Sequence, residues 1–331
     1  MTRVFSGIQP SGEMHLGNYL GAVRRWVAEQ GAADAVYCVV DLHAMTVAHD
    51  PATLAERTRR TAALLLAAGL DPSRCTLFVQ SHVREHTELT WYLNCVATYG
   101  ELRRMTQFKE KGQGQESVSA GLLDYPVLMA ADILAYDTDE VPIGDDQRQH
   151  LELARDVAVR FNHRFGDTLV VPRGTFPGVA ARVMDLQNPT AKMSKSSESP
   201  QGTLLLLDSP AVLTKKIRSA VTDSGSTVRY APEEQPGVSN LLEILGAATD
   251  RSVGDWEAEL DGRRYGDLKK ATADAVVELL APLQERYARL ADDPGEVDRI
   301  LAAGAAKAES VAAGVLGRVR DALGLLPKAT G

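Results

Sequence analysis

The sequence predicts an α/β protein, a parallel five-stranded sheet followed by an all-helical part, and three observations carry that prediction. Apolar, β-branched runs alternate with helix-patterned stretches over about the first 185 residues, the mark of βαβ units and hence of parallel strands. Beyond that point every periodic stretch has helical spacing. The length of 331 residues, 44% of them hydrophobic, suffices for a large core and for two domains, expected at 1–186 and 187–331.

Strands are expected at 4–8, 35–40, 76–80, 141–143 and 182–186, each a short apolar run bounded by polar or turn residues. A helix is expected over 51–68, because Asp50 can cap its N-terminus, Pro51 suits its first position and Gly69 suits its end. Helical spacing continues at 125–134 and 146–162. The second part reads as helices at 211–221, 238–247, 253–260, 268–291 and 294–325, with the last expected to pack back on the first domain.

Composition excludes several classes. The net charge of −8 does not suit a protein that binds DNA by bulk charge, so any RNA contact needs local basic patches. Arg57, Arg59, Arg60, Arg263, Arg264, Lys269, Lys270, Arg318 and Arg320 are the candidates. Cys38, Cys75 and Cys95 are odd in number, widely spaced and set among apolar residues, which fits buried thiols and a cytoplasmic location. No apolar run reaches the roughly 18–20 residues that span a bilayer, and no signal-peptide core opens the chain, so a membrane role is not expected.

Two signatures carry the chemistry. Pro10-Ser11-Gly12-Glu13-Met14-His15-Leu16-Gly17-Asn18 follows the first strand and opens a helix, where an open sheet offers backbone N–H groups to phosphate. Lys192-Met193-Ser194-Lys195-Ser196 sets two ammonium groups three residues apart between Pro189 and Pro200, a cationic loop suited to a departing pyrophosphate. Together they point to adenylyl transfer, a step governed by positioning and by stabilisation of spread negative charge. His15 and Asn18 can donate hydrogen bonds to phosphate or ribose, and Gly17 lets a nucleotide lie on the backbone.

These residues, with Phe5-Ser6-Gly7-Ile8-Gln9, Met105-Thr106-Gln107-Phe108-Lys109-Glu110-Lys111, Met129-Ala130-Ala131-Asp132-Ile133-Leu134 and Gly144-Asp145-Asp146-Gln147, occur in one order along essentially the whole chain. In this they resemble the class I aminoacyl-tRNA synthetases, and among them the bacterial tryptophanyl group. The resemblance implies a Rossmann-like catalytic domain, a helical anticodon-binding domain, ATP with Mg2+, L-tryptophan and tRNA(Trp) as ligands, and a homodimer, for which the apolar helical pattern of 91–105 is the expected interface. It also implies a nucleotide site built from Gln9, Pro10, Ser11, Gly17, Asn18, Gly144, Asp145, Asp146, Val183, Lys192, Met193, Ser194, Lys195 and Ser196. Lys192 and Lys195 would hold the outer phosphates, Met193 would anchor their loop, and Lys111 would be an auxiliary phosphate contact. Asp145 stands where the family usually carries Glu, and Asn18 where the wider class carries His.

Gly144-Asp145-Asp146-Gln147 opens a helix, and acids there are also ordinary caps; the functional reading has Asp146 accept from the ribose hydroxyls and Gln147 orient the amino acid. An unpaired carboxylate at Asp132, between Ala131 and Ile133, is costly unless something donates to it. A substrate indole N–H is one such donor; an unseen arginine or a backbone cap is the alternative. Phe5, Val40, His43, Met129, Val141 and Ile143 would wall the ring, although core packing also accounts for each, and Tyr125 and Gln147 would receive the ammonium and carboxylate ends.

A phenol would donate to Asp132 as readily as an indole, so the residues alone leave a tyrosyl enzyme open. His82-Val83-Arg84-Glu85-His86 fits an inverted zinc-peptidase pattern, but no third ligand follows at a persuasive spacing, and no metal is expected. Walker A and Gly-x-Ser-x-Gly motifs are absent. A synthetase-like RNA or nucleotide binder without turnover, and a nucleotidyltransferase, complete the alternatives; the latter needs neither the lysine loop nor the helical half.

Overall fold

The computed structural model describes residues 1–327 apart from 11–12, 107, 110–116, 145–146, 177–182 and 195–198. The chain runs through β1 (Arg3–Ile8), α1 (Leu16–Asn18), α2 (Arg24–Glu29), β2 (Asp34–Val39), α3 (Asp41–Ala44), α4 (Pro51–Ala68) and β3 (Thr76–Val79). It continues through α5 (Glu85–Asn94), α6 (Tyr99–Arg104), α7 (Ala120–Leu134), β4 (Glu140–Pro142), α8 (Arg148–Phe165) and β5 (Arg173–Thr175). Five α-helices follow among the described residues: α9 (Pro210–Arg218), α10 (Pro236–Thr249), α11 (Val253–Glu259), α12 (Tyr265–Asp292) and α13 (Pro294–Ala322).

All five strands are parallel and lie in the order β3-β2-β1-β4-β5. The winding therefore reverses between β1 and β4, and the carboxyl ends of those two strands flank the crevice where such sheets bind ligands. Local signals act as read for α4: Asp50 Oδ1 accepts from the Ala52 N–H at 3.0 Å, and Gly69 closes the helix at φ 118°, a region open to glycine.

The fifth strand departs from expectation. β5 is Arg173–Thr175, whereas 183–186 lies outside the sheet and Met184 forms an isolated antiparallel pair with Lys192. A strand beside β4 must be delivered by the crossover that leaves it, and α8 returns the chain to that edge at residue 173. Apolarity alone does not say which run takes the edge.

Side-chain alternation divides the sheet between two cores. Phe5, Val36, Cys38 and Phe78 face α5, α7 and α8, while Tyr37, Val39, Leu77 and Val79 face α4 and the later helices α9, α10 and α12. The last helix runs along β3, burying Leu301, Gly304, Ala308, Ala312, Val315 and Val319. Contact there is so close that a Cβ on Gly304 would lie 1.8 Å from the Leu77 carbonyl oxygen.

Although charged residues such as Lys307 and Glu309 interrupt its apolar run, α13 is by length and composition apolar enough to cross a membrane, with a mean hydropathy of 1.3 over 18 residues. Its small buried residues instead cover a sheet edge that would otherwise expose unpaired backbone groups. Of the cysteines, Cys38 and Cys75 are buried as expected, but Cys95 is exposed, because it falls at the open end of α5.

Candidate active site

Gln9 and Pro10 leave β1 at the switch point, Gln9 exposed and Pro10 buried. His15 then caps α1: its Nδ1 accepts from the Asn18 N–H at 3.3 Å, and Asn18 Oδ1 accepts from the His15 N–H at 3.2 Å. A neutral imidazole accepting at Nδ1 carries its proton on Nε2, and the Asn18 carboxamide keeps its N–H2, so both side chains retain donor groups. A Cβ on Gly17 would meet the His15 ring at 3.1 Å and the Val183 Cβ at 3.6 Å. Space at position 17 is therefore tight against the His15 ring and ordinary against Val183, apart from anything a nucleotide requires.

Val183 also begins the root of the lysine loop. Met193 donates its N–H to the Val183 carbonyl at 3.1 Å, and both side chains are buried, while Lys192 is exposed. Thr203 Oγ1 donates to the Ser194 carbonyl at 2.8 Å. Residues 204–206 then pair with the His15 turn, Leu16 N–H to Leu204 O at 2.8 Å and Leu206 N–H to Met14 O at 3.0 Å. One strap therefore ties both signatures together.

Lys216 on α9, only 7% exposed, holds that strap by donating to the Thr203 carbonyl at 2.8 Å and to Asp208 at 2.7 Å. Gln284 on α12 donates to the carbonyls of Leu206 and Asp208. A lysine is buried only when its charge is paired, and here it is. Neither Lys216 nor Gln284 is apparent from motif reading, since a cation in an amphipathic helix reads as a solvated face.

At the end of β4, Ile143 donates to the Thr175 carbonyl at 3.1 Å, Gly144 is exposed, and its carbonyl accepts from the Gln147 N–H at 3.0 Å just before α8. Ser11, Lys111, Asp145, Asp146, Lys195 and Ser196 lie outside the described residues.

Asp132, 1% exposed on α7, is not unpaired, and its partners are neither arginine nor a backbone cap. Oδ2 lies 2.7 Å from His43 Nε2, while Oδ1 takes Gln80 Nε2 at 2.7 Å and His86 Nδ1 at 2.6 Å. Burial pushes the carboxyl up, but the two imidazoles, His43 foremost, outweigh it and hold Asp132 well below the usual carboxylate range. His86 Nε2 lies 2.6 Å from the Tyr136 hydroxyl, so both of its ring nitrogens are engaged and neither is open to a metal. His82, in contrast, is exposed, and the zinc-peptidase pattern does not assemble.

Sequence reasoning missed Gln80 and His86 as partners of Asp132, and Tyr136 as the partner of His86 behind them. A usable signal was the polar Gln80 closing an apolar strand at a carboxyl end. The expected wall residues Phe5, Val40, Val141 and Ile143 belong to the same core as the helix of Asp132, with Met129 half-buried against it. Tyr125 meets the His43 ring edge-on at 6.2 Å, and its hydroxyl lies 2.8 Å from His150 Nε2; burial pushes the phenol up to about 12.

Two open hollows lie elsewhere. One of about 930 Å³ separates α9 from α12 beside Lys215, Arg218, Asp274 and Glu278, and one of about 460 Å³ adjoins Met1, Asp139 and Arg173. Neither touches His15, Asp132 or Lys192, so the chemistry of the switch point locates the site better than the size of a hollow.

Most of the basic residues read as RNA contacts have partners within the chain. Arg59 pairs with Asp298, Arg60 with Glu13, Arg318 with Asp137, Arg320 with Glu88 and Lys270 with Asp274, while Lys269 donates to the Ala220 carbonyl.

The structure is a doubly wound parallel α/β sheet, and its histidine turn opens a helix at the switch point where such sheets bind ligands. The family model described as tRNA synthetases class I (W and Y) matches residues 1–281. A relative in Streptomyces coelicolor named tryptophan–tRNA ligase 1 is 58% identical over 99% of this chain and 98% of its own. The crystal structure of tryptophanyl-tRNA synthetase from Mycoplasma pneumoniae aligns with a TM-score of 0.89 at 39% identity, covering 98% of each chain. That of the Campylobacter jejuni enzyme, complexed with ADP and tryptophan, aligns at 0.85 and 34%, over 98% of this chain and 100% of its own. The chain belongs to the class I tRNA synthetase family of the tryptophan and tyrosine enzymes.

Proposed function

We propose that this chain is a tryptophan–tRNA ligase, which joins L-tryptophan to tRNA(Trp) in two steps. In the first, the tryptophan carboxylate attacks the α-phosphorus of ATP; a bond from carboxylate oxygen to phosphorus forms, the α–β bridge breaks, and pyrophosphate leaves with the bridging electrons. In the second, the terminal 2′-hydroxyl of the tRNA attacks the acyl carbon and AMP leaves. The observation that carries the reading is the single strap, 203–206, that binds the histidine turn and the root of the lysine loop side by side at the switch point.

Within that reading, His15 and Asn18 donate to the phosphates, Lys192 and Lys195 meet the departing pyrophosphate, and Lys111 assists them. Gln9, Pro10, Ser11, Gly17, Gly144, Asp145, Asp146, Val183, Met193, Ser194 and Ser196 frame the nucleotide. Mg2+ arrives with ATP and offsets its charge. Asp132 accepts from the indole N–H between Phe5, Val40, His43, Met129, Val141 and Ile143, with Tyr125 and Gln147 at the amino-acid end. A tyrosine enzyme is the second reading, and the name and 58% identity of the Streptomyces relative favour tryptophan over it.

We also assign ATP and amino-acid binding to 1–186, and the lysine loop and the helices that contact the anticodon to 187–331. A homodimer is supported by the exposed aromatic pair Trp91 and Tyr99, 67% and 66% exposed on α5 and α6. The three free thiols suit the cytoplasm. Neither DNA nor a membrane is a partner in this reading.

The deciding experiment is amino-acid-dependent exchange of pyrophosphate into ATP, run across all twenty amino acids. Signal from tryptophan alone is expected. Tyrosine alone would select the second reading, and no signal would leave a non-catalytic binder.

A further inference from the structure

Asp132 is gripped from behind by side chains that an indole contact does not itself require. Gln80, at the end of β3, and His86, in the first turn of α5, both reach Oδ1, whereas among the described residues Oδ2 receives only His43. A carboxylate oxygen accepts about two hydrogen bonds, so Oδ1 is filled and Oδ2 has one direction left. Without the grip, rotation about the last side-chain bond would exchange the two oxygens.

Hydrogen bonding continues behind His86. An ionised Asp132 can only accept, so His86 Nδ1 donates to it, and His86 Nε2 pairs with the Tyr136 hydroxyl at 2.6 Å. Burial pushes the Tyr136 phenol far above its usual range, so the hydroxyl keeps its proton. The Tyr136 ring is fixed in turn, stacked on Phe5 at 5.7 Å and 9° and edge-on to Phe78 at 5.7 Å.

We propose that His86, oriented by Tyr136, is a positioning residue for amino-acid specificity: it fixes Asp132 as an acceptor with Oδ1 tied back and Oδ2 turned to the substrate's ring N–H. The inference deepens the reading that Asp132 accepts from the indole, and it rests on that reading. It gives a role to a histidine whose neighbouring motif suggested zinc.

The test compares tryptophan with β-(benzothiophen-3-yl)alanine, which replaces the N–H by sulfur at nearly the same size, as the ratio of kcat/KM in pyrophosphate exchange. A site built to hydrogen-bond an N–H discriminates strongly against an analogue lacking it, by up to about 10⁴-fold. In His86→Leu that ratio is expected to fall about tenfold or more while the KM for ATP moves less than about twofold. In His86→Asn, whose amide nitrogen stands where Nδ1 does, the ratio should stay within about threefold of wild type.

A His86→Leu enzyme that keeps the wild-type ratio, even with kcat lowered for both substrates, overturns the proposal, because that is the signature of a purely structural residue. Should His86→Leu fail to fold, His86→Asn decides: retained discrimination supports the role, and collapse with a donor still in place overturns it. Asp132→Ala, which removes both acceptor oxygens, run in parallel separates the two layers. An unchanged ratio there refutes the indole contact itself; a lowered ratio there, with His86→Leu unaffected, refutes only the role of His86.

Discussion

Lys216 Nζ donates to the Thr203 carbonyl at 2.8 Å, and the hydroxyl of the same threonine donates to the Ser194 carbonyl at the same distance. A buried cation on α9 thus sets the height of the lysine loop above the histidine turn. Lys216→Met leaves Asp208 with the Leu205 N–H as a remaining partner at 3.0 Å, and the expected loss is about 3 kcal/mol, the lower end for breaking a buried pair. Urea denaturation measures that loss. In pyrophosphate exchange the KM for ATP should rise several-fold while that for tryptophan stays; equal rises in both would place Lys216 outside the loop's support.

Exposed Lys192 makes no contribution to the core, so its replacement tests chemistry almost alone. Lys192→Ala is expected to lower kcat for exchange by about 10²-fold with little change in the KM for tryptophan, as for a group whose contact strengthens in the transition state. If kcat is unchanged, the lysine does not act on the leaving pyrophosphate.

Gly304 is a packing test far from the site. A Cβ there would lie 1.8 Å from the backbone carbonyl of Leu77, an atom of β3 that cannot swing aside. Gly304→Ala should therefore destabilise by about 1–3 kcal/mol despite the higher helix propensity of alanine. Thermal denaturation checks this, and a raised Tm would mean that α13 does not press on the edge strand.

Acid should weaken the fold through Glu101, which caps α6 with Thr98 and receives Arg160. Chiefly because of the Arg160 hydrogen bond, its carboxyl falls from the ordinary 4.5 to about 2. The folded value is the lower one, so this stability is present above about pH 4.5 and disappears as the pH falls toward about 2. Asp132, also held low, acts in the same direction. Glu101→Gln should flatten the dependence of the urea midpoint on pH across that window; a slope equal to wild type would assign the acid sensitivity elsewhere.

Much of the architecture was legible because it is decided within a few residues. The Asp50 cap, the Gly69 stop and the alternation of the first four strands are local matters of hydrogen bonding and side-chain period, and they stand as read. The two signatures were legible too, since their spacing is their meaning. Exposure of Cys95 was not, because it depends on where a helix ends.

What the sequence by itself determined is the kind of elements, their order along most of the chain, and which side chains stand at positions 15, 132 and 192. Tertiary structure alone decided that residues 173–175 take the sheet edge, that Lys216 is buried under the strap, and that Gln80 and His86, 52 and 46 positions from Asp132, close on one oxygen of it. The reason is the range of the forces. Caps and periodicity act over a turn of chain, whereas a buried charge takes its partners from whatever strand and helix ends the sheet order brings beside it.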